Sequence, residues 1–238
     1  MPTLSLLYNR EYAVNDDIHV VIPTVGQILE DEDSYYGMIT TFTAMPIDLM
    51  VQLDELGIDF TEISDYDLFL ILFNGLKGQK TNLLFKDLDI DKFQLTQNQQ
   101  TGDLFLINAE DHIMIDRRVY GQISAVFRKV HHIERNRRKP ANDDAKKYML
   151  QRAKEKQRRN KNRKVESQLE SLIVAMVNAP EFKYDYDGAK NLSIFQFNES
   201  VRQIIKRVDY NNRMFGVYSG TINAKEMSQD DLTWLTHK

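Results

Sequence analysis

The acidic stretch "DLDIDKF" (Asp87–Phe93) places carboxylates at positions 1, 3 and 5 of a calcium-type loop. Such a loop needs glycine at position 6 for its sharp turn and a bidentate glutamate at position 12. Lys92 and Asn98 stand there instead, so the stretch reads as a solvated acidic loop. His131 and His132 are adjacent, and neighbours on a helix point about 100° apart, a poor geometry for sharing a metal. His112 and Asp116 have the better i, i+4 spacing but lack a third ligand. Ser219 in "YSG" has no nearby histidine to activate it, and neither a G-x-S-x-G turn nor a glycine-rich phosphate loop occurs. With no cysteine, disulfides, thiolate nucleophiles and Cys-ligated zinc are excluded. The expectation is a protein that is not an enzyme, with no catalytic residue, no metal and no cofactor.

Charge carries more information. The net charge of −4 hides a division: residues 1–127 hold 7 basic and 21 acidic residues, 128–164 hold 16 and 4, and 165–238 hold 8 and 10. Within the basic part, "AKKYMLQRAKEKQRRNKNRK" (Ala145–Lys164) has ten Lys/Arg and one carboxylate, Glu155. Its apolar residues Tyr148, Met149, Leu150 and Ala153 lie in the first half, and none follows Lys154. A helix without an apolar stripe is held by charge or stands in solvent. Four readings stay open for this segment. It is a protein-binding helix docking on acidic surface, a solvated connector, a nucleic-acid arm, or a membrane-surface helix. The membrane reading lacks the apolar face it needs, and the nucleic-acid reading has Tyr148 as its one aromatic for stacking.

The elements that position these groups follow from periodicity. "IHVVI" (Ile18–Ile22), stopped by Pro23, reads as a strand, and Val25 to Thr43 as one helix capped by Thr24. Pro46 opens a second helix closed by Gly57, and Ser64 caps a third through "LFLILF". "NLLF", "KFQLTQ", "DLFLI" and "HIMID" read as short strands around the turn "NQQTGD", before Asp116 caps a helix with Val119, Ile123, Val126, Phe127 and Val130 on one face. The C-terminal part is helical. Leu169, Leu172, Ile173, Met176 and Val177 share one face. A second helix has Ser193 and Gln196 at capping-box spacing, with Leu192 and Phe197 as a hydrophobic staple. The expected fold is α+β: a mixed helix and short-sheet lobe over 1–133, a basic linker or helix over 134–164, and a helical hairpin lobe over 165–238. The N-terminus does not read as a signal peptide and no apolar run approaches a membrane span, which leads to the expectation of a cytoplasmic protein.

The order of "IPTVGQIL", "PIDLMVQLDELGIDF", "YDLFLILF", "VYGQISAVFRKV", the basic run, "LESLIVAMVN", "LSIFQFNESVRQI" and "DLTWL" resembles tail assembly chaperones of bacteriophages and prophages of Gram-positive bacteria. The resemblance covers most of the chain but is one of layout rather than of a catalytic motif. It implies a non-enzymatic morphogenesis factor in the infected or lysogenic host, binding the tape-measure protein and tail-tube protein, with self-association open. Partner-binding candidates are Arg152, Lys154, Arg158, Arg159, Lys161, Arg163 and Lys164 on the basic segment, and Phe215, Tyr218 and Trp234 in the C-terminal part. The aromatic residues, with Phe195 and Phe197, read equally as core, since a stripe at helical spacing usually is. The alternatives are a nucleic-acid-binding accessory protein using residues 128–164, and a virion tail or baseplate subunit. Nucleic-acid binding is expected to be weak and non-specific, and membrane binding is not expected.

Overall fold

The computed structural model describes residues 3–160 and 167–235. Helix α1 (Thr3–Tyr8) leads into an antiparallel pair, β1 (Glu11–Ala13) and β2 (His19–Val21), with Tyr12 opposite Val20. The segment around Phe85 lies along β2: Val21 N donates to the Leu84 carbonyl at 2.8 Å and Lys86 N to that of His19 at 3.2 Å. "NLLF" is therefore a 3-10 turn (Thr81–Leu83) running into a one-residue bridge, not a full strand.

The single helix expected over 25–43 is two, α2 (Val25–Leu29) and α3 (Glu32–Thr43). The break has a local cause. The Asp31 side chain accepts from Ser34 N at 3.3 Å, capping a new helix in competition with the backbone of the old one. A 3-10 turn at Pro46–Leu49 precedes α4 (Met50–Glu55), and a Ser64–Asp67 capping box opens α5 (Asp65–Phe73). The antiparallel sheet β3 (Gln94–Gln97), β4 (Leu104–Asn108) and β5 (Ile113–Ile115) follows as expected, in the order β3-β4-β5. The Tyr66 hydroxyl ties α5 to it, donating toward the Leu104 and Ile115 carbonyls at 3.0 and 3.1 Å. Asp116 then caps α6 (Arg117–His131), which ends on His132 in the left-handed conformation (φ 55°). Helix α7 (Asp143–Asn160) is the basic helix. The chain closes with α8 (Gln168–Val177), α9 (Tyr186–Asn191) and α10 (Ile194–Tyr218). The fold is α+β with a helical C-terminal region.

The centre of the core is aromatic. Phe42 of α3 lies 5.2, 5.5 and 5.3 Å from Phe69, Phe85 and Phe127, and Tyr120 stacks on Phe69 at 4.6 Å. The core does not divide at the boundaries expected from the sequence. Leu169, Ile173, Met176, Phe195 and Phe197 belong to the same buried cluster as Ile22, Phe42 and Phe127. Helix α10 packs chiefly on α6 and α1, and α8 chiefly on α9, so the C-terminal helices meet the first part of the chain more than they pair as a hairpin. A smaller cluster of Ala44, Ile47, Leu53, Phe60 and Leu68 lies under α4 and α5.

Phe197 is fully buried and meets Phe182 edge-on at 6.1 Å. Truncation to alanine removes that packing and leaves a cavity, so Phe197→Ala is expected to destabilise the fold by about 3 kcal/mol. An unchanged denaturant midpoint would refute this placement.

A second expectation concerns acid. His131 Nε2 lies 3.0 Å from the Tyr35 hydroxyl, and its Nδ1 is enclosed with no partner among the described residues. Burial, with a smaller contribution from His132, holds its pKa down at about 3, against 6.5 for a free histidine. Above pH 6.5 the ring is neutral whether folded or not. Between 6.5 and 3 only the unfolded chain takes the proton, so stability falls as pH falls, by at most about 1.4 kcal/mol per unit. His131→Gln should flatten this part of the stability profile in urea titrations from pH 7 to 4. An unaltered slope would show that other groups control it.

Candidate partner-docking surfaces

Helix α7 starts where Asn142 accepts from Ala145 N at 2.8 Å, with Asp143 and Asp144 in its first turn, as its dipole favours. None of its residues is fully buried. Its half-covered positions other than Glu155, namely Ala145 and Lys146, Met149 and Leu150, Ala153 and Lys154, recur every four residues and so form one face. Met149 packs on the small cluster under α4. Lys154 Nζ lies 2.6 Å from Asp54 of α4, and Lys146 Nζ bonds Asp59 and lies 5.9 Å from the Phe60 ring centroid. Hydrogen bonds from Lys146 and Thr61 lower the Asp59 pKa to about 2. One face of the basic helix, from Lys146 to Lys154, is thus docked on the chain's own acidic part.

The other basic candidates on this helix are not. Arg152 lies over the Tyr148 ring at 5.7 Å, Arg159 lies 3.7 Å from Glu155 of the same helix, and Arg158 is exposed. Of the basic candidates among the described residues, only Lys154 meets a described carboxylate outside α7. Lys161, Arg163 and Lys164 lie outside the described residues.

The aromatic candidates separate clearly. Phe195 and Phe197 are core, whereas Phe215 is 76% and Tyr218 84% exposed. Trp234 is exposed too, at 40%, but it is engaged. The Arg207 guanidinium lies over its ring at 5.6 Å and its carbonyl accepts from Gln203 at 2.8 Å, tying the tail to α10. An Arg213–Asp231 ion pair fastens the same tail, and Lys206 donates to the Leu235 carbonyl at 3.1 Å. The chain reverses after α10 through Gly220 (φ 77°). Ile222 folds back on Gly216 so closely that a Cβ there would lie 2.6 Å from it.

Helix α10 has one apolar stripe in two environments. At 3.6 residues per turn, Ile194, Phe197, Val201, Ile205, Val208 and Phe215 fall within about 80° of arc. Ile194 and Phe197 are buried and Val201 is partly covered, but Ile205, Val208 and Phe215 are exposed. The stripe that anchors the helix continues past the edge of the core. The tail contacts Gln203, Lys206, Arg207 and Arg213, which lie on other sides of the helix, so it leaves the stripe uncovered.

Residues 158–238 match a family model described as the YomV second domain. This family is phage- and prophage-associated, and the match covers α8, α9 and α10 with their exposed stripe. No curated protein and no solved structure matches the chain. Among the described residues, no helix is long and apolar enough to cross a membrane.

Docking of Lys146 and Lys154 on aspartates reduces the charge that α7 offers to phosphates. DNA or RNA binding is therefore expected to be weak, independent of sequence and steeply lost with salt, as fluorescence anisotropy would show. Tight binding that survives about 200 mM salt, and is abolished by neutralising Arg152, Arg158 and Arg159, would overturn this.

Proposed function

We propose that the chain is a non-enzymatic phage morphogenesis factor of the tail-assembly-chaperone kind, which holds an apolar helical segment of a tape-measure protein on the distal half of α10. The observation that carries this reading is the continuation of the core stripe of α10 into solvent at Ile205, Val208 and Phe215, within the phage-related match. An amphipathic helix laid along this stripe would bury apolar positions at i, i+3, i+4 and i+7 against it. Tyr218 adds an exposed aromatic body beside the stripe, about 60° round the helix from Phe215, with a hydroxyl suited to an interface rim. Tail-tube subunits are the second partner in this reading, and the site of action is the cytoplasm of the host cell.

Support also comes from what the exposed residues do not do. Phe215 and Tyr218 have no aromatic partner among the described residues, so their replacement leaves the fold intact. Co-expression of the chain with the tape-measure protein of the same phage tests the proposal. The target is expected to stay soluble and copurify. Phe215→Asp with Tyr218→Asp is expected to lower recovery about tenfold or more without moving the melting temperature, as loss of central aromatic anchors does. Undiminished copurification with the double variant would reject α10 as the docking face.

A further inference from the structure

A cavity of about 750 Å³ lies between the starts of α5, α6 and α7 and the extended segment 135–140. Its floor is apolar, built from Met45, Ile47, Phe60, Ile63 and Tyr66. Its rim is cationic, with Arg117, Arg135, Arg137, Arg138 and Lys139, and with Lys146 at the end nearest α7. Two carboxylates, Asp65 and Asp143, complete the charged lining. Arg117 lies 3.6 Å from Asp67 and Lys146 is held by Asp59, but among the described residues Arg135, Arg137, Arg138 and Lys139 form no ion pair. A volume of this size is typical of ligand sites.

Two observations beneath the surface point to an anion. The Tyr120 side chain lines this cavity and the residue is only 4% exposed; no group among the described residues is within full hydrogen-bond geometry of its hydroxyl, and the Ser124 side chain, already bonded to Arg128, is the one near enough to favour its ionised form. A buried hydroxyl without a partner is costly and is normally satisfied. Behind it, Arg128 is 8% exposed. Its guanidinium donates to the Ser124 hydroxyl at 3.2 Å and to the Thr43 carbonyl, both neutral, and makes no ion pair among the described residues. Tyr120 and Arg128 both lie within electrostatic reach of Arg135 and of the Asp65 carboxylate, and Arg128 also of Asp48. Neither carboxylate makes an ion-pair contact with Arg128 among the described residues, so this buried cation is offset only at a distance. A carboxylate entering the cavity beside Tyr120 would offset Arg135 directly and Arg128, which stands outside the lining, from a distance.

The form of the site selects among anions. The cap of α5 is taken by its own Ser64–Asp67 box, and Asp65 stands in the wall, which disfavours a doubly charged phosphate at a single point. The cations of the 135–139 segment are instead strung along extended chain, and from 134 to 141 no backbone group is bonded to another backbone group among the described residues. Carboxylates spaced along a second extended chain match that distribution, with apolar side chains between them on the floor. We infer that this strapped groove binds an acidic, apolar-containing peptide segment of a partner protein, with one carboxylate seated on Tyr120 and Arg135. The site is separate from the α10 stripe, and the proposal stands whether or not α10 holds a tape-measure helix.

The test uses the full chain and a fluorescein-labelled peptide of repeating Leu-Asp-Phe-Glu, read by anisotropy. Repeating Leu-Lys-Phe-Lys, poly-glutamate and ATP serve as comparisons. The acidic apolar peptide is expected to bind, the lysine peptide not to bind, and poly-glutamate to bind at least about tenfold more weakly because it lacks side chains for the floor. Combined Arg135→Gln, Arg137→Gln and Arg138→Gln, all at exposed positions, should weaken the peptide about tenfold or more. Tyr120→Phe should weaken it severalfold at an unchanged or raised melting temperature, since the hydroxyl loses no internal bond. Amides of 134–141 should exchange more slowly in the complex. Equal binding of poly-glutamate, displacement by ATP at lower concentration than by unlabelled peptide, or indifference to both variants would overturn the proposal. Concentration-dependent dimerisation lost in the strap variant, with no peptide binding, would also overturn it and assign the groove to a second copy of the chain.

Discussion

A short seam of backbone hydrogen bonds holds the two ends of this chain together, and the exposed surfaces depend on it. Val25 N donates to the Leu192 carbonyl at 3.0 Å and Ile194 N to that of Pro23 at 2.9 Å, so Thr24 and Ser193 form a bridge. Each of these two residues is also the N-cap of a helix with a complete capping box, Thr24 with Gln27 and Ser193 with Gln196. The backbone groups that a helix start leaves unpaired are therefore satisfied on both sides of the seam. Gln196 Nε2 reaches on to the Leu7 carbonyl at 2.8 Å, and Arg10 to that of Asn191 at 3.0 Å, which brings α1 and β1 into the same junction. Below it, Ile194, Phe195 and Phe197 are fully buried. The first turns of α10 are thus fixed by hydrogen bonds and packing together, and the distal half is presented in a defined direction.

Much of this was legible because it is local. The Ser193–Gln196 box, the Asp116 and Ser64 caps, the three-stranded sheet and the α6 stripe each depend on residues within a few positions of one another. The break at Asp31 was hidden because carboxylates near a helix start suit a continuing helix as well as a new cap, and only the side-chain bond to Ser34 N distinguishes them. The shared core was hidden for another reason: helical spacing in α8 and α10 says that a face is apolar, not what covers it. For the same reason the stripe of α10 could not be divided by pattern into its buried and exposed halves. The strapped groove was least legible, since residues 45–66, 117–121 and 135–146 meet only after folding, and an orphaned tyrosine hydroxyl leaves no trace in sequence.

The charge division is part of the same design. A basic helix with few apolar residues cannot be held by packing alone. Here a single methionine, Met149, and two lysine–aspartate contacts hold one face of it, from Lys146 to Lys154, against α4 and the segment that follows α4. Contacts between partly exposed charges are individually weak and screened by salt, so this docking is the most condition-dependent part of the described fold. The seam at Thr24 and Ser193 has no such dependence. Changes at α7 can therefore occur without disturbing α10.

Energetics indicate why two surfaces would serve a holding protein better than one. Covering the Phe215 and Tyr218 side chains, at about 25 cal/mol per Å² and roughly 150–200 Å² each, gives a gross gain on the order of 8 kcal/mol. Lost translational and rotational freedom on association costs on the order of 4–15 kcal/mol, which offsets most or all of it. Ile205 and Val208 add to the apolar area, but a helix held by this stripe alone would exchange readily. A partner that also presented a carboxylate-bearing segment to the groove beside Tyr120 would make its second contact intramolecularly, at an effective concentration in the millimolar range for a short linker. Weak grip at each site and firm grip at both suits temporary retention of an apolar chain: release needs only one contact to be displaced by the next protein in an assembly.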